Sequence, residues 1–102
     1  MATAAKTVYS HITKDPEVCG GRACIDGTRI RVMDIVGLAH EGRGPAQMLE
    51  AYPSLNLAQV HAALSYYYEN LQEIEVAFEE DRRIADEIES DRDSFLAKRS
   101  GR

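Results

Sequence analysis

From Leu55 to Ser100 the chain contains neither glycine nor proline, so no residue in that run obliges a helix to stop. Leu64, Tyr67, Leu71, Ile74, Phe78, Ala85 and Ile88 recur there at heptad spacing, with Asp81 standing where the seam calls for an apolar side chain. Two outcomes fit this pattern. One is a single rod from Asn56 to Lys98, on the order of 60 Å long. The other is a break near Asn70 followed by a fourth helix. A rod of that length outruns so small a body, so the part beyond about Phe78 should project, pair with itself or wait loosely ordered for a partner.

Upstream, the stretch from Cys19 to Val32 carries Asp26-Gly27 between two short runs. That dipeptide suits a two-residue type I′ loop, which needs φ > 0 at both positions. A turn centred there places Ile25 opposite Thr28, Cys24 opposite Arg29, Ala23 opposite Ile30 and Arg22 opposite Arg31. Strand alternation then sends Ala23, Ile25 and Ile30 inward and Cys24 with the three arginines outward. Before this hairpin, Met1 to Thr7 is expected to fray, and Val8 to Thr13 alternates like a short strand.

After the hairpin the period changes to 3.6. Val32, Ile35, Val36 and Ala39 define one helix, which Gly42 should end. Gly44-Pro45 starts a second, with Ala46, Met48, Leu49 and Tyr52 apolar and Pro53 as its stop. Asn56 and Gln59 have capping-box spacing for a third, whose apolar face runs through Leu57, Val60, His61, Leu64 and Tyr67. The short link Pro53-Ser54-Leu55 gives the pair the proportions of a helix-turn-helix.

The net charge is −5, and it is unevenly placed. Six basic and six acidic residues cancel from Met1 to Ser65, whereas Tyr66 to Arg102 holds six basic and eleven acidic. An acidic tail on a neutral, locally basic body points to two different partners. No apolar run is long enough to span a bilayer and the first residues lack a cleavable apolar core, so a cytoplasmic location is expected, with no membrane partner. Cys19 and Cys24 fit neither a zinc nor a redox spacing and read as small thiols. His11, His40 and His61 fall on different elements and form no catalytic order, so an enzyme is not expected, nor a cofactor or metal. Alone on an apolar face, His61 reads as a core histidine. The row Tyr66-Tyr67-Tyr68 covers most of a helix circumference, which leaves at least one ring for solvent or another chain.

Several of these segments together resemble a bacterial family, domain of unknown function 433. They are His11-Ile12-Thr13, Cys19-Gly20-Gly21-Arg22, Asp26-Gly27-Thr28-Arg29-Ile30, Tyr52-Pro53 and Leu57-Ala58-Gln59-Val60 on to Tyr66. The likeness spans Ser10 to Asn70, with motifs in matching order and spacing. Ala23 and Arg31 stand where that family usually has proline, and Asp26 where a basic residue is common. The resemblance implies a helix-turn-helix fold. It also implies an antitoxin role, since such proteins are often encoded beside a PIN-type nuclease toxin.

The expected architecture is α+β, mostly α: an N-terminal β-hairpin, a three-helix helix-turn-helix-like unit and a long C-terminal helix. Residues 8–70 form the domain and 71–102 an acidic helical tail. The expected function is a type II antitoxin that neutralises a PIN-like toxin and binds operator DNA as a homodimer. The alternative is a dimerisation or adaptor protein that does not bind DNA. The third helix carries no cation before Asn70, so DNA contacts must be shared by Arg22, Arg29, Arg31 and Arg43 with Gln59 and His61. Tyr67, Leu71, Ile74, Phe78, Ile84 and Ile88 are the candidate partner-binding residues.

Overall fold

The structure, a computed structural model, describes residues 5–6 and 9–99, with side chains from Tyr9 to Asp93. Three short strands make one antiparallel sheet in the order β1 (Ala5–Lys6), β2 (Ile12–Lys14), β3 (Ala23–Ile25). Ile12 pairs with Ile25 and Lys14 with Ala23, while Ala5 and Lys6 pair with Lys14 and Thr13. Two expectations change here. Ala5–Lys6, inside the segment expected to fray, is an edge strand. The strand expected from Val8 starts only at Ile12, because His11 turns the chain with a φ of 70°. Val8 itself, like Met1 to Ala4 and Thr7, lies outside the described residues.

The Asp26-Gly27 turn is present, but its loop is longer than two residues. The Thr28 amide donates to the Ile25 carbonyl (3.0 Å), the Ile25 amide donates to the Ile30 carbonyl (2.9 Å), and Cys24 bridges Arg31. The Thr28 hydroxyl fixes this register by donating to the Ile25 carbonyl (2.8 Å) and accepting from the Ile30 amide (3.0 Å). Gly27 supplies the positive φ of 80° that the turn requires. The pairing is therefore two residues off the expected one: Cys24 meets Arg31 rather than Arg29, and Arg22 has no arginine across a ladder. The main ladder of β3 runs to β2 instead. Cys24 is also not on an open cationic face, being only 2% exposed.

Four helices follow: α1 (Val32–His40), α2 (Pro45–Ala51), α3 (Leu57–Glu69) and α4 (Leu71–Arg99). Val32, Ile35 and Val36 of α1 are fully buried and meet Ile12, Ala23 and Ile25 of the sheet in one apolar cluster. The Asp34 carboxylate accepts from the Arg31 amide at the start of α1 (2.9 Å). Gly44-Pro45 opens α2 as expected, with the Gln47 side chain accepting from the Gly44 amide (3.0 Å). The capping box of α3 is reciprocal: Asn56 Oδ1 accepts from the Gln59 amide (2.9 Å) and Gln59 Oε1 from the Asn56 amide (2.8 Å). The buried face of α3 is Val60, Ala63 and Tyr66 rather than Leu57 and His61, both of which are exposed.

The long helix does break, at Asn70. That residue adopts φ −135° and ψ 45°, and its side-chain amide donates to the Tyr66 carbonyl (2.9 Å) that a continued helix would have used. α4 then runs 29 residues, roughly 44 Å. Ile74 and Ala77 enter the core, only 3% and 8% exposed, and Phe78 packs against its edge. From Arg82 to Asp93 every residue is exposed, among them Ile84 (51%) and Ile88 (64%). One helix thus has a proximal part that belongs to the domain and a distal part that does not.

That division sets unequal costs for two isoleucines of the same helix. Ile74→Ala should lower stability to urea by about 3 kcal/mol, as a cavity in a packed core does. Ile88→Ala should change it by less than about 0.5 kcal/mol. Comparable losses would mean that the distal part is packed.

Candidate functional site

The hairpin and α4 meet through opposite charges. Arg22 Nη1 donates to Asp81 Oδ1 (2.7 Å) and Arg22 Nη2 to Glu80 Oε1 (3.1 Å), while Arg22 Nη1 also lies 3.2 Å from Met33 Sδ. Arg31 approaches the other oxygen of the same carboxylate, with Nη1 3.6 Å from Asp81 Oδ2. It also binds Asp34 through Nη2 (2.8 Å) and Nε (3.3 Å), and these bonds hold its pKa above the usual arginine value despite partial burial. Asp81, the charged residue that interrupts the apolar seam, therefore sits between two guanidinium groups supplied by the hairpin.

A second charged contact lies on the same face of α4, two turns earlier. Lys14 Nζ of β2 is 3.0 Å from Glu73 Oε2, and the Tyr66 hydroxyl donates to Glu73 Oε1 (2.8 Å). Burial works against the Lys14 charge, but Tyr66 and Glu73 outweigh it and raise the pKa. Burial and then Glu73 push the Tyr66 hydroxyl up, so it keeps the proton it donates. A groove of about 530 Å³ separates the two contacts, lined by Lys14, Gly21, Arg22, Met33, Ala77 and Glu80 among others.

The remaining candidates are dispersed. Arg29 is exposed on the hairpin loop, its carbonyl accepting from Cys19 Sγ (3.2 Å). Arg43, half exposed after α1, pairs with Glu41 (3.2 Å). Gln59 spends its side-chain oxygen on the cap of α3, two residues before the exposed His61. The exposed residues of α3 are Leu57, Ala58, His61, Ser65, Tyr68 and Glu69, a surface without a lysine or arginine. Of the partner-binding set, Ile74 is taken up by the chain's own core. Tyr67 donates to Glu75 Oε2 (2.9 Å) and packs with Phe78 around the His40 ring. Leu71, Ile84 and Ile88 are the exposed members.

Ile84, Ala85 and Ile88 continue the face that carries Ile74, Ala77, Phe78 and Asp81, following at i+3, i+4 and i+7 from Asp81. Around this short stripe stand Asp86, Glu87, Glu89, Asp91 and Asp93, opposed by Arg82, Arg83 and Arg92. Among the described residues no group of three or more His, Cys, Asp or Glu could hold a metal ion. No described helix is long and apolar enough to cross a membrane.

Comparison with known proteins gives three findings. The sequence pattern of the family described as "Protein of unknown function (DUF433)" matches residues 12–67. The crystal structure of a DUF433 member protein from Anabaena variabilis ATCC 29413 is similar, with 37% identity and a TM-score of 0.60 over 74% of this chain and 68% of that one. The uncharacterized protein y4eO of Sinorhizobium fredii (strain NBRC 101917 / NGR234) is 34% identical over 55 residues, covering 54% of this chain. The match takes up 25% of that relative's length.

The two cysteines differ in burial, Cys24 being buried and Cys19 partly exposed. Burial, then the hydrogen bond with Cys19, pushes the Cys24 thiol from 9.0 up to about 12. Folded and unfolded chains both keep this proton below pH 9, and between 9 and about 12 only the unfolded chain releases it. Stability should therefore be flat below pH 9 in this respect and fall as the pH rises toward 12. Native protein with iodoacetamide at pH 8 should modify Cys19 first and Cys24 only after denaturant is added. Equal native rates, read by mass spectrometry of the two peptides, would contradict the burial of Cys24.

Proposed function

Since the chain belongs to the DUF433 family, whose description assigns no activity, its surfaces must suggest the role, and we propose that it is a type II antitoxin. Its distal α4 docks as a helix into a basic groove of a PIN-like nuclease toxin. The carrying observation is the stripe Ile84, Ala85 and Ile88, exposed beyond the body and flanked by carboxylates. An isolated amphipathic helix is marginal in water, and a grooved partner supplies the burial that it lacks. Flanking acids favour a basic groove and disfavour a second acidic α4. The body binds operator DNA as a homodimer in this reading, and Leu57, Tyr68, Leu71 and Val76 leave apolar area on it for self-association.

One observation favours the second reading, an adaptor that binds no DNA. Arg22 and Arg31, the hairpin cations that share Asp81, already have carboxylate partners, and the exposed face of α3 offers no cation.

The test is co-expression with the PIN-like nuclease encoded nearest to this protein. Ile84→Ser with Ile88→Ser should weaken the complex about 100-fold, each truncated apolar anchor removing roughly 1.5 kcal/mol, with the melting temperature unchanged. Nuclease activity should return in parallel. A double variant that binds and inhibits like the original chain would remove the basis of the proposal. A mobility shift with duplex DNA separates the two readings.

A further inference from the structure

We propose that Arg22 and Arg31 form a binding site for the DNA phosphate backbone that α4 keeps closed from within, with Asp81 and Glu80 standing in for the phosphate. The inference rests on the DNA-binding part of the reading above and adds its regulation. Two guanidinium groups converge on the two oxygens of a single carboxylate, Arg22 at 2.7 Å from Oδ1 and Arg31 at 3.6 Å from Oδ2. A phosphodiester presents its two free oxygens to a pair of arginines in the same way. Glu80 takes the second Arg22 nitrogen at 3.1 Å, so the head of Arg22 is held by two acids of α4.

Holding α4 in place does not depend on these pairs alone. Ile74 and Ala77 are already buried against the body, and Glu73 is paired with Lys14. Asp81 is instead an acid within an apolar stripe, where a leucine would extend the packing. Its side chain remains 42% exposed and that of Glu80 48%, a setting in which ion pairs are weak and exchange readily with other anions. Arg22 borders the open groove that Lys14 also lines, so an anion entering the groove meets its head and a third cation. In the closed form the α4 carboxylates cover Arg22 and share Arg31 with Asp34, so the closed chain binds DNA without these two phosphate contacts.

The test removes the α4 anions without removing the arginines, and leaves Asp34 on Arg31 in every variant that keeps Arg31. Full-length Glu80→Gln with Asp81→Asn is titrated with a 20-base-pair duplex at several salt concentrations. Asp86→Asn with Glu87→Gln, the same charge change six residues further along α4, is the control. Opening the site should tighten binding about tenfold at 50 mM salt. It should also steepen the plot of log K against log salt by about 1.8, twice the 0.9 expected for one phosphate. Adding Arg22→Ala and Arg31→Ala to the opened variant should abolish both gains. If circular dichroism shows the double variant unfolded, Asp81→Asn alone takes its place, with about half the change in slope.

An equal gain in the control would mean that overall charge, not the gate, sets the affinity. No gain over an original chain that itself binds DNA would overturn the gate and leave DNA binding standing. If neither binds at 50 mM salt, the DNA reading falls and the inference with it. A matching gain on anionic phospholipid vesicles would overturn the assignment to nucleic acid.

Discussion

The seating of proximal α4 on the hairpin is the interaction on which the rest of the molecule depends. Glu73, Ile74, Ala77 and Asp81 lie on one face within about two turns, each meeting a different part of the body. Apolar side chains in the middle exclude water, while the charges at either end fix rotation and register. This contact brings an acidic helix across a cationic hairpin, and it aims the remaining half of α4 away from the domain. Without it, Arg22 would lose both of its carboxylates and α4 would lack a root. It also extends the structured body past residues 12–67, the span shared with the family.

Local chemistry made much of the fold readable in the sequence. The Asn56–Gln59 box, the Gly44-Pro45 start and the buried run Val32, Ile35, Val36 each depend on residues within a turn of one another. What misled was chemistry acting across the loop. Asp26-Gly27 suggested a two-residue connection, but the Thr28 hydroxyl closes a four-residue loop and shifts the register by two. The edge strand Ala5–Lys6 had little pattern, since two residues give no alternation to read. Asn70 was visible as a break only as one of two outcomes, because its effect depends on a bond to the Tyr66 carbonyl rather than on backbone restriction.

The candidate site was legible in composition and not in geometry. Grouping Arg22, Arg29 and Arg31 on one strand face took all three for strand residues, but β3 spans only Ala23–Ile25 and Arg29 lies in the loop. Arg22 and Arg31 do converge, but on Asp81 rather than across a ladder. The signal was available in Asp81 itself, a charge at a seam position, which asks for a cation of the body to meet it. No spacing rule links residues so far apart in sequence, so which cation answers could not be read. Ile74 was misjudged for a related reason: one apolar stripe serves the core at one end and solvent at the other, and a periodic pattern does not mark where the body stops.

The central claim is that α4 changes role along its length, from core element to free docking helix. Amide hydrogen exchange of the isolated protein reads this directly, residue by residue. Amides from Ile74 to about Asp81 should open only with global unfolding, whereas those from Ile84 to Asp93 should exchange at least about 100-fold faster, as in a frayed helix. Uniform protection from Ile74 through Asp93 would contradict the account, because the distal face would then already be covered.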